Sequence, residues 1–333
     1  MVNENGYKIK IDFFLLMLVE VALLFVMLSF LDPFVAGGVG GNVTVNTSLT
    51  VGNVSPEVLN VSLLNGSTTL TLVANSTVTV DCAAVVRDFN GNSTISVVRG
   101  EFFDNTYSSL GNTSDNNFHY KNNSCTVNLS FGSWNGVVDD DYMALANCTY
   151  PVYYYANPGN WNCTIVVNDT SDLNATGWDN ITISDLLALG VPGTINYGTV
   201  NATYVSDENI SNVTNYGNVK INLSLYGYGY TANDNNSMNC TLGSNKNISI
   251  NYEKYNLTAS TSGSQTLTQF EANYTNLSIA ATVKTFGLDY RRNDTAVGYD
   301  DTNSTYWRIY VPTGVAGTCE GRIVFGATVA TGS

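Results

Sequence analysis

The chain has 333 residues, enough for two domains of ordinary size, and sets 13 Lys plus Arg against 27 Asp plus Glu, a formal charge of −14. That surplus of acids excludes a basic track for phosphates, so no nucleic-acid partner is expected. Only 12% of residues are charged while 44% are hydrophobic, and a single histidine, His119, excludes multi-histidine metal sites and leaves one imidazole for proton transfer.

In chain order, a polar tail (1–10) precedes a hydrophobic run, IDFFLLMLVEVALLFVMLSFL from Ile11 to Leu31, long enough to cross a bilayer as a helix. Lys8 and Lys10 precede it and Asp32 and Pro33 follow, which orients the tail to the cytoplasm. At about −0.3 to −0.6 kcal/mol each, its Leu, Val and Phe residues contribute roughly −6 kcal/mol, against a few kcal/mol for the one acid, Glu20. The run exceeds the hydrophobic core of a cleavable signal peptide and is expected to stay as a transmembrane signal-anchor; a cut would fall in VAGGVGG, Val35 to Gly41. A carboxyl group in hydrocarbon persists by protonation, snorkelling or pairing, so Glu20 is a candidate for oligomerisation between membrane helices. Here the segment resembles the N-terminal helices of type IV pilins and archaeal filament subunits, which implies a filament subunit assembling through that helix. The short basic leader of those proteins has no counterpart ahead of Ile11.

A linker (32–54) leads into a different composition. Asparagine makes up about 44 residues, and roughly 27 of them lie in N-x-[ST], about three times the chance expectation. No such sequon precedes Gly37. The glycosylation candidates include Asn42, Asn46, Asn60, Asn65, Asn75, Asn92, Asn112, Asn128, Asn147, Asn162, Asn168, Asn180, Asn201, Asn212, Asn222, Asn239, Asn256, Asn276, Asn293 and Asn303. N-linked glycans are therefore the one attached group expected, and they would replace charge as the source of solubility and cover sheet edges.

From Asn42 onward the apolar period is two, with Gly, Asn, Asp and Pro turns between short runs rich in Val, Ile, Thr, Tyr and Phe. The expected fold is all-β: the N-terminal helix followed by two antiparallel β-sandwiches. The first (55–185) has seven candidate strands, 57–64, 76–87, 94–103, 125–131, 146–155, 161–168 and 178–184, the pattern of an immunoglobulin-like sandwich. The run from Asp88 to Asn92, containing Asn90-Gly91, reads as a hairpin turn, and Asp104 to Asn123 as a long polar loop. The second sandwich (186–333), immunoglobulin-like or of jelly-roll type, has candidate strands 194–200, 218–226, 247–255, 272–285, 307–311 and 320–329. A short apolar link between the blocks predicts end-to-end stacking with little bending.

Six cysteines, an even number without CxxC spacing, indicate disulfides in an oxidising compartment. Cys82 and Cys163 fall on the second and sixth strands, which face each other in an immunoglobulin-type core, so they are expected to pair, leaving Cys125 with Cys148. Spacing alone also allows Cys82 to pair with Cys148. Cys240 and Cys319 pair if the second domain is self-contained.

The stretches PVYYYANPGNWNCTIVVND (Pro151–Asp169), LLALGVPGTINYGTV (Leu186–Val200), NYGNVKINLSLYG (Asn215–Gly227) and GVAGTCEGRIVFGATV (Gly314–Val329) resemble uncharacterised, membrane-anchored archaeal surface glycoproteins. The resemblance implies a surface-exposed β-sandwich protein; its motifs mark strands and turns, not chemistry.

No catalytic residues are expected: His119 lies in an Asn-rich stretch with no GxSxG or HExxH motif to supply a partner. Asp139, Asp140 and Asp141 are the calcium candidates, although a structural Ca²⁺ needs six or more oxygens from several loops and a solvated turn explains the run more simply. The tyrosines at 153–155 and at 226, 228 and 230 are candidate sugar-stacking groups, with core packing as the simpler reading. These features predict a non-enzymatic structural glycoprotein of the cell surface, in an envelope coat, S-layer or filament, whose partners are the membrane and other copies of itself or surface-layer proteins. The alternative is an adhesion module whose loops, such as Asp104–Asn123, bind glycans or neighbouring cells. N-terminal sequencing of the mature protein tests the anchor: the chain is expected to retain residues 11–31, and a start between Gly38 and Gly41 would overturn that.

Overall fold

The computed structural model describes residues 44–291 and 301–330; the 11–31 segment, Glu20, Asn42 and Asn293 lie outside them. Among the described residues no helix is long and apolar enough to cross a membrane. The first half contains β1 (Glu57–Leu63), β2 (Thr69–Leu70), β3 (Thr77–Arg87), β4 (Ile95–Asp104), β5 (His119–Asn122), β6 (Thr126–Asn128), β7 (Ser133–Trp134), β8 (Val137–Val138), β9 (Met143–Tyr153), β10 (Gly159–Asp169) and β11 (Asn174–Ile183). The second contains β12 (Leu189–Gly190), β13 (Asn209–Asn215), β14 (Ile221–Tyr228), β15 (Asn236–Gly243), β16 (Asn247–Ser249), β17 (Glu253–Asn256), α1 (Leu267–Asn273), β18 (Thr275–Asn276), β19 (Thr282–Leu288), β20 (Thr302–Ile309) and β21 (Val315–Val329).

In the first half the two packed sheets have the orders β1-β3-β9-β6 and β2-β11-β10-β4-β5, with β2 joining β11 in parallel, and β7 pairs with β8 apart from both. Alternation does the sorting: in β3 the side chains of Val80, Cys82 and Ala84 are buried while Thr79 and Asp81 are not. The two inner faces share one core, with Leu63, Phe102, Tyr150, Trp161 and Ile165 essentially without solvent contact. The buried indole of Trp161 donates to the carbonyl of Asn157 at 2.8 Å, which meets the rule that a buried N–H needs a partner.

Disulfides join Cys82 to Cys163, Cys125 to Cys148 and Cys240 to Cys319. The first spans the two sheets, from β3 to β10. Cys148 sits directly opposite Cys82 on β9, so the second bridge lies beside the first. It ties down the point where the chain crosses from β5 to β6, since Cys125 also donates its backbone N–H to Val98 on β4. Close approach here requires Gly100: a Cβ at that position would overlap Tyr150 and Cys148.

Three local expectations need correction. The Asp88–Asn92 turn is not a hairpin, because β3 and β4 lie in opposite sheets. It is a corner organised by buried Asp88, which accepts from Asn90 N at 2.8 Å and Thr94 Oγ1 at 2.6 Å, with Gly91 at φ 115. The stretch expected to be loop up to Asn123 ends instead in β5, paired with β4. In the second half 194–200 is not a strand, whereas β13 and β15 are, and α1 begins at a Thr266–Gln269 capping box inside a region read as coil and strand.

The second half also forms two sheets, β12-β13-β20-β17-β18 and β16-β15-β21-β14-β19. Ile221, Leu223 and Leu225 of β14 alternate inward and meet Trp307 of β20, Val213, Leu277 and Leu288 in one core. The Cys240–Cys319 bridge joins directly opposed residues of β15 and β21, within a single sheet.

Both halves belong to one compact unit from Asn53 onward. The buried side chain of Asn218 fastens the junction: its Nδ2 donates to the carbonyls of Ala156 and Ser184, both at 3.1 Å, and its Oδ1 accepts from Leu186 N at 2.6 Å. Tyr290 Oη adds a bond to Asn157 Oδ1 at 3.1 Å. At about 1 kcal/mol per bond, more for groups left buried without a partner, Asn218→Ala is expected to cost roughly 3 kcal/mol. It should also split a single urea transition into two, one for each half; an unchanged single transition would show that the junction does not couple them.

Candidate functional site: a braced loop and its sequons

The outer face of the β4–β5 pair carries the loop from 105 to 118. His119, at the start of β5, is fully buried, stacks on Phe103 with ring centroids 5.4 Å apart, and has two polar neighbours. Its Nε2 lies 3.0 Å from Glu101 Oε2 and its Nδ1 2.6 Å from Ser108 Oγ. The carboxylate places the ring proton on Nε2, so the Ser108 hydroxyl donates to Nδ1. Glu101 also accepts from Gly111 N at 2.7 Å and faces Lys121 Nζ at 3.5 Å. The histidine that the sequence left without a partner is thus the middle of a hydroxyl–imidazole–carboxylate chain. Three separate segments supply its members, so no contiguous motif could have revealed it.

These bonds brace the loop at Ser108 and Gly111. Asp104 adds to them, with Oδ1 accepting from Thr106 N at 2.8 Å and Oδ2 from Asn157 Nδ2 at 3.0 Å. Asp115 Oδ1 accepts from the backbone and side-chain nitrogens of Asn117. The braced loop presents Tyr107 and Leu110 to solvent. Burial pushes the His119 imidazolium below its ordinary range, against the opposing pull of Glu101. A depressed histidine contributes stability that is present above the ordinary value near 6.5 and lost as pH falls below it.

Two of the calcium candidates hold backbone N–H groups with a carboxylate oxygen, and the third is held through its main chain. Asp139 Oδ2 accepts from Phe131 N at 3.0 Å, Asp140 Oδ1 from Tyr142 N at 2.8 Å, and the Asp141 carbonyl from Asn92 N at 3.1 Å. Among the described residues no group of three or more His, Cys, Asp or Glu side chains is placed to hold a metal ion. Of the tyrosine candidates, Tyr155 is buried and stacks on Tyr153, while Tyr230 is exposed.

The sequons divide by surroundings. Asn46, Asn60, Asn65, Asn75, Asn112, Asn128, Asn180, Asn201, Asn212, Asn239, Asn276 and Asn303 are exposed, on both sandwiches and the segment ahead of them. Asn92, Asn147, Asn162, Asn168, Asn222 and Asn256 are half-buried. Asn92 Nδ2 is taken by the carbonyls of Leu129 and Met143, and Asn222 Oδ1 by the N–H groups of Phe286 and Gly287 at the bulge between β14 and β19.

Two polar centres escaped the sequence reading. Arg308, buried although its side chain faces away from the core, donates to Tyr274 Oη and to the carbonyls of Ser206, Thr261 and Gly263. Glu208 completes this knot by accepting from Ser260, Tyr274 and Thr261 N. Glu253 lies inside the second sandwich and accepts from Tyr197 Oη at 2.8 Å. Burial pushes its carboxyl up to about 7.

No family model matches the chain, and no curated protein matches it. Among solved structures it is similar to the CsuC–CsuE chaperone–tip adhesion subunit complex of Csu pili from Acinetobacter baumannii, with TM-score 0.34 and 9% identity over 78% of this chain and 97% of that one. A carbohydrate-binding module of the β-sandwich superfamily gives TM-score 0.24 and 9% identity over 83% and 98%. The C-terminal domain of the Streptococcus agalactiae polypeptide BspA gives 0.21 and 9% over 83% and 100%.

Glu253 supplies a pH test. Its stability contribution is fully present below the ordinary carboxyl value of 4.5 and is lost as pH rises through about 7. Glu253→Gln retains the oxygen that accepts from Tyr197 but cannot ionise. It should leave urea stability little changed at pH 4 and raise it by roughly 3 kcal/mol at pH 8 relative to the parent. Equal effects at the two pH values would remove the titration from the account.

Proposed function

We propose that this chain is a non-enzymatic, heavily N-glycosylated structural protein of a cell surface. In this reading residues 11–31 anchor it as a signal-anchor helix, and the first sandwich, an immunoglobulin-like domain by its strand order, stands outside the membrane with the second. It acts as a subunit of an envelope coat or filament among other copies of itself or surface-layer proteins, as in the archaeal surface glycoproteins it resembles. One observation carries the proposal: all three disulfides sit in the same part of the chain that holds the sequons, and most of the sequons described there are exposed. Both features belong to one compartment, and neither begins before the hydrophobic run ends.

The braced loop favours a second reading, adhesion. Holding an exposed Tyr107 and Leu110 on a pre-ordered loop lowers the entropic cost of binding a glycan or a neighbouring surface. Electron microscopy of the native cell surface, labelled with an antibody to the second sandwich, separates the two. A lattice or filaments support the structural role. Scattered single labels, with cell binding abolished by Tyr107→Ser and Leu110→Ser together, would replace it with adhesion.

A further inference from the structure

On β11 side chains alternate between faces: Trp178, Asn180 and Thr182 are exposed, whereas Ile181 and Ile183 are buried. Residues two apart on a strand project from the same face, about 7 Å apart. The aromatic ring, the acceptor asparagine and the sequon threonine therefore form one outward row. Trp178 is 63% exposed, a large apolar residue on an otherwise polar row. A sugar linked to Asn180 would begin within reach of that ring. A pyranose presents an apolar C–H face to an aromatic surface, while its hydroxyl groups stay in water.

The neighbouring strand carries a competing sequon. Asn162-Cys163-Thr164 of β10 runs antiparallel to this row, with Asn162 opposite Asn180 and Thr164 opposite Trp178. Its surroundings differ: Thr164 is buried, and Asn162 Oδ1 accepts from Asn105 Nδ2 at 2.9 Å. Directly opposed residues have Cβ atoms only about 5 Å apart, too close for two branched glycans to leave the sheet side by side.

We propose that Asn180 is an occupied N-glycosylation site whose first sugar packs on the Trp178 ring, and that the opposed Asn162 stays unmodified. The proposal rests on the glycoprotein reading and names a particular site and its protein contact. The attached glycan covers the outer face of β11, whose far neighbour in the sheet is only the two-residue β2.

The test uses the full-length protein purified from its native membrane. Glycopeptide mass spectrometry should find sugar on Asn180 and none on Asn162, with Asn65 and Asn212, exposed sequons on the two sandwiches, as internal controls. Thr182→Ala removes the acceptor signal and leaves Asn180 in place. Trp178→Ala should lower the unfolding midpoint by about 2–4 °C in the glycosylated protein and by less than about 1 °C in the Thr182→Ala background. Unmodified Asn180 with modified Asn65 and Asn212 would overturn the site, and equal losses in both backgrounds would overturn the packing. Absence of sugar from every sequon would remove the glycoprotein reading itself.

Discussion

The first sandwich depends on the separation of its two sheets, which the Cys82–Cys163 bond holds between the central strands β3 and β10 with Cα atoms 6.5 Å apart. Phe102 lies opposite Cys163 on β4, Trp161 is two residues earlier on β10, and Cys148 lies opposite Cys82 on β9. The aromatic centre of the core is thus built on the same rows as the bridge. Closing a loop of 81 residues also restricts the unfolded chain, by about 4.5 kcal/mol in the loop-entropy model. The second bridge repeats the effect locally, where the chain leaves one sheet for the other.

The second sandwich is held differently. Its bridge lies within one sheet and sets no distance between the two, so its aliphatic core and Trp307 carry that task. Trp307 and Arg308 are sequence neighbours on β20 and point to opposite faces, yet both are buried. The tryptophan fills the core. The arginine is covered by the 257–266 segment and α1, whose carbonyls and Tyr274 hydroxyl satisfy the guanidinium. A buried charge of this kind persists only when its donors are paired, and that requirement fixes the covering segment in place.

Strands were legible in the sequence where inward positions were apolar and hidden where they were polar. β3, β10 and β14 place mainly Val, Ile, Leu or Cys on the core face, and β9 places Ala146, Cys148, Tyr150 and Val152 there. β13 places Ser211, Val213 and Asn215 inward, and β15 buries Ser237 and Cys240, so neither carries an apolar period of two. The Asn90-Gly91 pair marked a reversal of direction correctly. A turn motif does not say whether the next strand pairs with its predecessor or crosses to the facing sheet, and here it crosses. The partners of His119 were hidden for a related reason: Phe103 and Glu101, 16 and 18 residues earlier on β4, meet it only because β5 pairs with β4.

By itself the sequence determined the β character of the chain beyond residue 42, the even set of cysteines and the position of every sequon. Each is a local property, set by residue type and by spacings of two or three along the chain. Tertiary structure alone decided which sequons face solvent, that Asn162 and Asn180 oppose each other across a strand pair, and that Glu101, Ser108 and His119 meet under one loop. Those outcomes depend on strand register and on which sheet each strand joins. Both are set by packing between segments distant in sequence, so no local pattern encodes them.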